Sequence, residues 1–348
     1  MSGNTGWTGW TGWTGWTGWT GWPGGQSLAG ADSLTAQALV THRAAMGAGE
    51  TPTAPARGLL DDPEALARWS APVRRNSVLL DLLQGLEFRP SGADAWALFA
   101  LGKPLAELDR PADTAAGDQV LLAQLDQVEP WARERATRLP EILTQIDGGL
   151  VFMAAAAGLQ PGRHRMALEL ADLAAGLASL VCQRFKQALN VPRPVMMSTR
   201  LVPVVPTPEH GSLPSGHATE SFAMAHVLSV LVQGRAHESL MRTAHRIAEN
   251  RTVAGLHYPM DSEAGRALGL SLGEYIVHRC TAKSGDDGLT VVDEAHPAWR
   301  ARSVVCDAAA RFDLAQGLEC TAKPQAKPLG ISTLAAWMWQ RADANMQA

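Results

Sequence analysis

An all-α fold, a helical bundle with irregular terminal extensions, is the expectation for this 348-residue chain, and three observations carry it. From about Ser33 the sequence runs in Ala- and Leu-rich segments punctuated by Pro, Gly and Asp. Alternating, β-branched runs of strand length are scarce. A hydrophobic content of 46% is enough to bury a sizeable core. The expected helices are 33–46, 62–69, 73–86, 93–101, 115–126, 129–146, 163–190, 217–233, 236–254, 260–279 and 332–345.

Four regions follow from this pattern. Residues 1–26 form a low-complexity leader in which 5–22 are six copies of Thr-Gly-Trp, holding six of the twelve tryptophans. Recurrent Gly without an apolar face cannot nucleate a core, so the leader is expected to be disordered. In a polyproline-II-like conformation, with three residues per turn, its indoles would line up as a sticky ribbon. Residues 27–150 are expected to be a helical region packed on a core at 151–282, and 283–348 an irregular extension ending in a helix. Within the core, 195–213 carries Pro203, Pro206 and Pro208 and reads as an ordered loop.

The chemistry is concentrated in three short runs. Lys186 lies near the end of the long amphipathic helix, before Asn190 and Pro192 break it, and Arg193-Pro194 follows seven residues after the lysine. A lone lysine there would only offset the helix dipole. Paired with a guanidinium, which offers a rigid fork beside the ammonium's point charge, it suits a tetrahedral oxyanion. The second run is Pro214-Ser215-Gly216-His217, directly before a nearly all-apolar helix bearing Phe222, Met224, Val227, Leu228, Val230 and Leu231. Such a helix is buried, its free N–H groups attract anions, and Gly lets the backbone approach closely. In the third run Arg251 falls in the last turn of a helix stopped by Gly255, and Pro259 opens the next helix. His257 then lies in the turn between them and Asp261 in the following first turn.

In order and spacing these residues resemble the type 2 phosphatidic acid phosphatase (PAP2) superfamily, which includes bacterial acid phosphatases, lipid phosphatases and vanadium-dependent haloperoxidases. The resemblance implies an all-α fold of that type and an acid-phosphatase-like hydrolase acting on a small phosphoester without a metal ion or other cofactor. It implies His257 as nucleophile forming a phosphohistidine, Asp261 orienting its ring, and His217 as general acid and then base. Lys186, Arg193, Arg251 and backbone donors at Ser215 and Gly216 would bind the phosphate or vanadate. The alternative it implies is a haloperoxidase that holds vanadate through His257 and oxidises halide with peroxide. The short interval from His217 to Arg251 resembles the acid phosphatases; His210, seven residues before His217, occupies a place where bromoperoxidases carry an extra histidine and is a candidate for a halide or substrate rim. The family usually has Ser before the third motif's Arg, where this chain has Asn250. A third reading is an inactive interaction protein, its tryptophan ribbon and C-terminal extension binding a partner.

Composition narrows the field further. Thirty basic against 34 acidic residues give a net charge of −4 with no long basic run, which disfavours nucleic acid as partner. Cys182, Cys280, Cys306 and Cys320 are too scattered for a disulfide framework or a thiolate metal site, and His226, His237 and His245 show no metal-ligand spacing. No signal-peptide pattern stands at the amino terminus, and the longest strongly apolar runs, near 150–159 and 222–232, fall short of the ~20 residues a bilayer needs. A soluble cytoplasmic protein without a transmembrane segment is therefore expected.

Overall fold

A computed structural model of the chain describes residues 33–45, 58–199, 201–281, 283–284, 290–291, 300–313, 321–324 and 330–347. The Thr-Gly-Trp leader lies outside the described residues. The chain divides into two units, Met1–Ala65 and Leu66–Ala348. The first contains helix α1, Ser33–Ala45. The second opens with α2, Ala71–Leu83, followed by strands β1 (Leu86–Pro90), β2 (Ala95–Ala100) and β3 (Lys103–Asp109). Helices α3 (Ala115–Val128), α4 (Arg135–Thr144), α5 (Leu150–Ala156), α6 (Arg165–Leu189) and the short α7 (Pro194–Met197) come next. Helices α8 (Gly216–Gln233), α9 (Glu238–Val253) and α10 (Pro259–Thr281) complete the core. Strands β4 (Lys283–Ser284), β5 (Thr290–Val291), β6 (Arg300–Val304) and β7 (Thr321–Pro324) and helix α11 (Thr333–Gln347) finish the chain.

The fold is mostly helical, but it is not purely so. A mixed sheet of order β1-β2-β3-β6-β7 is antiparallel except for the parallel β3–β6 pair. Segment 93–101, expected as a helix, is strand β2. Its Ala-Leu composition suits a helix, yet Leu101 and Gly102 both take positive φ (49° and 78°) between the paired Ala100 and Lys103. Two such residues make the tight hairpin turn that matches strand twist, and the turn overrides helix propensity. The region 27–150 is thus part sheet, and β6 and β7 give the supposedly irregular extension a defined role at the sheet's other end. The sheet rests on α6 through the rings of Phe88 and Phe185, whose centroids are 5.6 Å apart, and through Arg184 stacked 4.6 Å over Trp96. Expected helix 129–146 breaks into a 3₁₀ turn, Glu129–Glu134, and α4.

Helices α6, α8 and α10 form the centre. The stretch Arg165–Met197 is long and apolar enough to cross a membrane by length and composition, contrary to the sequence expectation, with 67% of its window buried inside the fold. Its Glu169 is locked to Arg74 of α2 by two bonds of 2.8 and 2.9 Å between fully buried partners. Helices α8 and α10 meet backbone to backbone along Gly265, Gly269 and Gly273. A Cβ on Gly265 would stand 2.7 Å from both the Ala218 Cβ and the Ser215 carbonyl oxygen, and one on Gly269 would collide with the Thr219 carbonyl. Glycines at every fourth position share one helix face, so the stripe sets the distance between the two helices.

Gly269→Ala is expected to destabilise the fold by about 1–3 kcal/mol in spite of alanine's better helix propensity, because the atom struck is backbone. Gly162→Ala, where a Cβ meets nothing within 4 Å, should stay within about 0.5 kcal/mol of the parent. Chemical denaturation of the two variants measures the difference.

Candidate active site

Each motif residue is delivered by a helix terminus. Helix α6 ends at Asn190, whose left-handed φ of 45° turns the chain, and Lys186 in its last turn is almost wholly buried. Its Nζ donates to the carbonyls of Gly211 (3.0 Å) and Ser212 (2.8 Å). Burial lowers its pKa to about 8, with Arg193 adding to the effect. Arg193 caps α7 and is also buried; Nε donates to the His210 carbonyl and Nη1 to the Leu256 carbonyl, each at 3.0 Å. The loop 198–213 is therefore held by two cations through its own carbonyls.

The α9–α10 corner is a Schellman stop. Gly255 at φ 81° lets its N–H reach Thr252 O (2.9 Å) while Leu256 N–H reaches Arg251 O (3.0 Å). This aims His257 inward. The His257 Nδ1 lies 2.9 Å from Asp261 Oδ2, and its Nε2 lies 3.3 Å from Arg193 Nη1. A guanidinium only donates, so Nε2 carries the lone pair and Nδ1 the proton given to Asp261. Asp261 Oδ2 also accepts from Tyr258 N–H (3.0 Å) and from the Ser212 hydroxyl. Burial nevertheless pushes the Asp261 carboxyl up to about 6. Burial first, then the Arg193 and Lys186 cations, hold His257 well below the ordinary histidine value, so the ring is neutral.

Ser215 caps α8, its hydroxyl accepting from Ala218 N–H and its own N–H donating to Asp261 O at 2.8 Å. Gly216 is the first residue of α8, where N–H groups have no partner within the helix. A side chain at Gly216 would meet nothing nearer than Glu220 Oε1 at 3.9 Å, so its absence leaves space over the helix terminus. His217 Nε2 lies 2.9 Å from the Gln145 carbonyl. That oxygen only accepts, which places the proton on Nε2 and leaves Nδ1 as the atom that gains or loses one. Burial and the nearby Arg251 depress His217 to about 3. Arg251 is buried, donates Nη2 to Ile142 O (3.0 Å) and Gln145 Oε1 (3.2 Å), and has an Nε with no hydrogen-bond partner among the described residues.

All the residues singled out by sequence thus join one network, His210 included: its Nδ1 accepts from Arg193 Nη2 at 3.1 Å at the exposed edge of the site. Sequence reasoning missed Ser212, Gln145 and Glu220. Ser212 and Gln145 carry no motif and reach the site only through tertiary packing. Glu220 could have been found, since it sits four residues beyond Gly216 and shares its helix face. Asn250, in the family's serine position, donates to Glu141 Oε2 (2.9 Å) and Gln145 Oε1 (3.0 Å), tying α9 to α4. Among the described residues no group of three His, Cys, Asp or Glu is arranged to hold a metal ion. A cleft of about 510 Å³ lined by Trp131, His245, Glu249, Thr252 and Phe312, among others, includes none of the motif residues.

The neutral His257 imidazole, its Nδ1 proton held by Asp261, lies beside the buried Arg193 and Lys186, while Arg251 lies near His217 at the start of α8; cations and helix N–H groups of this kind can hold a tetrahedral oxyanion. Residues 170–285 match the family model described as PAP2 superfamily. That match covers a third of the chain and includes the segment that carries the three motifs; members of the superfamily are generally phosphatases or haloperoxidases. Similar solved structures include the first bacterial vanadium-dependent iodoperoxidase, at 21% identity over 53% of this chain and 52% of that one, with a TM-score of 0.34. Another is the first transmembrane PAP2-type phosphatidylglycerolphosphate phosphatase, from Bacillus subtilis, at 18% identity over 45% of this chain and 80% of that one, with a TM-score of 0.29. This chain spans about half the length of the iodoperoxidase. A search of curated proteins gives no match.

Glu220 is expected to contribute to the pH dependence of anion binding at this site. Burial pushes its carboxyl up to about 7, opposed by a Ser179 hydrogen bond and by Lys186. Below that pH it is neutral; above it, a carboxylate competes for the same cations as the anion, so affinity falls as pH rises through about 7. Glu220→Gln should match the parent in orthophosphate inhibition near pH ~5.5 and bind more tightly than the parent near pH ~8.5. Inhibition constants at the two pH values, taken as variant-to-parent ratios, provide the check.

Proposed function

We propose that this protein is a phosphohydrolase that cleaves small phosphate monoesters through a phosphohistidine on Nε2 of His257. The observation that carries the reading is the His257–Asp261 pair at 2.9 Å, with Nε2 turned to Arg193 in a site with two further buried cations. In the first step the Nε2 lone pair attacks phosphorus as the ester P–O bond breaks. The leaving oxygen takes a proton from Nδ1 of His217, which must first gain that proton from solvent once the anionic substrate is bound, because in the empty site the ring is neutral with its proton on Nε2. In the second, Nδ1 accepts a proton from water, the hydroxide oxygen attacks phosphorus, and the P–N bond breaks to return the lone pair to Nε2. Asp261 keeps the His257 Nδ1 proton throughout and steadies the charge that forms on the ring. Lys186, Arg193, the free edge of Arg251 and the N–H groups at Gly216 and His217 stabilise the equatorial oxygens. These groups supply the charge that phosphoryl transfer needs without assigning any step to a metal ion.

One observation favours a second reading. The imidazole of His210 beside Arg193 gives the rim a polar group suited to a halide or peroxide, and Nε2 of His257 could ligate vanadate in place of attacking phosphorus. When bound, that group would supply halide oxidation by peroxide. The short His217–Arg251 interval supports the hydrolase instead, because it leaves little chain to build a separate halide pocket. We also propose that the protein is water-soluble, since α6, the one span of membrane length among the described residues, is a core helix.

Orthovanadate should inhibit ester hydrolysis competitively, because it adopts the five-coordinate shape of the transferring phosphoryl group. Bromide and iodide oxidation with peroxide should remain feeble; efficient halide turnover that collapses in His210→Ala, with no ester hydrolysed, would replace the hydrolase by the oxidase.

His257→Ala is expected to abolish turnover while orthovanadate still binds, since the cations remain. His217→Ala should lose on the order of 10²–10⁴-fold on esters with poor leaving groups and far less on those with good ones. Equal losses on both ester types would remove His217 from the proton-donor role.

A further inference from the structure

The end of α4 carries a residue that no motif marks and that touches both His217 and Arg251. Gln145, 1% exposed, receives the His217 Nε2 proton on its backbone oxygen at 2.9 Å. Its side-chain Oε1 accepts from Arg251 Nη2 at 3.2 Å and from Asn250 Nδ2 at 3.0 Å. Asn250 is fixed in turn by Glu141 Oε2 at 2.9 Å, and Glu141 is held by two 2.8 Å bonds from Arg246. Burial of so many polar groups is stable only when each is satisfied, and the ladder from Arg246 to Arg251 does this on one side of the site.

We propose that Gln145 is a positioning residue that sets the proton donor and the third cation together. Its backbone oxygen fixes the His217 tautomer, so that Nδ1 is the atom that exchanges protons with the leaving oxygen. Its side chain takes one end of the Arg251 guanidinium, together with Ile142 O, and leaves the buried Nε without a protein partner among the described residues, available to an oxyanion. Glutamine suits the place because an amide oxygen accepts two donors while adding no charge. A carboxylate of the same shape would pair with Arg251 and cancel much of what that cation offers an anion. The proposal rests on the hydrolase reading for the proton-donor half and only on anion binding for the Arg251 half.

Two variants separate these possibilities from a merely structural role. Gln145→Met keeps the volume and loses the acceptor; Gln145→Glu keeps the acceptor and adds charge. Thermal denaturation of each first establishes that it folds. The affinity for orthovanadate, measured by calorimetry, should fall on the order of tenfold to a hundredfold in both, for loss of placement in the first and for charge in the second. With esters, Gln145→Met keeps the backbone oxygen that holds His217 and should show the parent's dependence of kcat on the leaving group, so that the loss is confined to anion affinity. Parental orthovanadate affinity in a folded Gln145→Met or Gln145→Glu overturns the Arg251 half, and a steeper leaving-group dependence in Gln145→Met than in the parent overturns the His217 half, which assigns the aiming to the backbone oxygen. If the parent binds orthovanadate but hydrolyses no ester, the hydrolase reading and the His217 half fall with it, and calorimetry alone decides the Arg251 half. A parent that does not bind orthovanadate ends both.

Discussion

The approach of α8 to α10 is the constraint on which the rest depends. Three glycines on one face of α10 remove every Cβ that would hold the helices apart, so Ser215 N–H can reach the Asp261 carbonyl at 2.8 Å. That single backbone bond joins the start of α8 to the first turn of α10. His217 and His257 are placed by the two ends it ties together. A wider spacing would separate the start of α8 from the His257 imidazole. The apolar surface of α8 and the near-complete burial of α10 supply the force that holds the contact closed.

Against that apolar background the fold buries Lys186, Arg193 and Arg251, and the hydrogen bonds described for them go to carbonyl oxygens, a side-chain amide and imidazole nitrogens. Carbonyls satisfy the hydrogens without neutralising the charge. Burial then shows directly in the lowered pKa values, about 8 for Lys186 and about 10 for Arg251. If the site takes an oxyanion, as proposed, the anion would offset the cost of burying these charges. Binding to the folded state alone stabilises it by mass action, which links occupancy of the site to stability of the fold.

Much of the site was legible in the sequence because its chemistry sits at helix ends, where local rules are strong. Gly255 stops α9, Pro259 starts α10, and Ser215 caps α8, each where the spacing placed it. The sheet was not legible: β2 reads Ala-Trp-Ala-Leu-Phe-Ala, its hairpin turn is Leu101-Gly102 instead of a marked Asn-Gly, and β6, which pairs with β3, lies nearly two hundred residues further along the chain. Nor could Gln145 be read from sequence. Its importance arises from three donors on α8 and α9, and nothing near it in the chain announces them. The glycine repeat on α10 was visible as a pattern, yet a small-residue stripe does not say which helix it will meet.

The cations that hold an anion also set when the site can act as an acid. With the site empty, burial and Arg251 keep His217 neutral down to about pH 3, so it has no proton to give near neutrality. A phosphate dianion reverses the local field: its negative charge faces the same side chains and stabilises a protonated imidazole. On the proposed hydrolase reading, the substrate would therefore charge the acid that protonates its own leaving group. His257 feels the same shift but keeps its reactive atom turned to the anion, where nitrogen–phosphorus bonding takes the place of protonation. Asp261, still bonded to Nδ1 on the far side of the ring, fixes that division of labour. On that reading a neutral ester would bind without raising His217, and discrimination between charged and uncharged esters would follow from the proton donor itself.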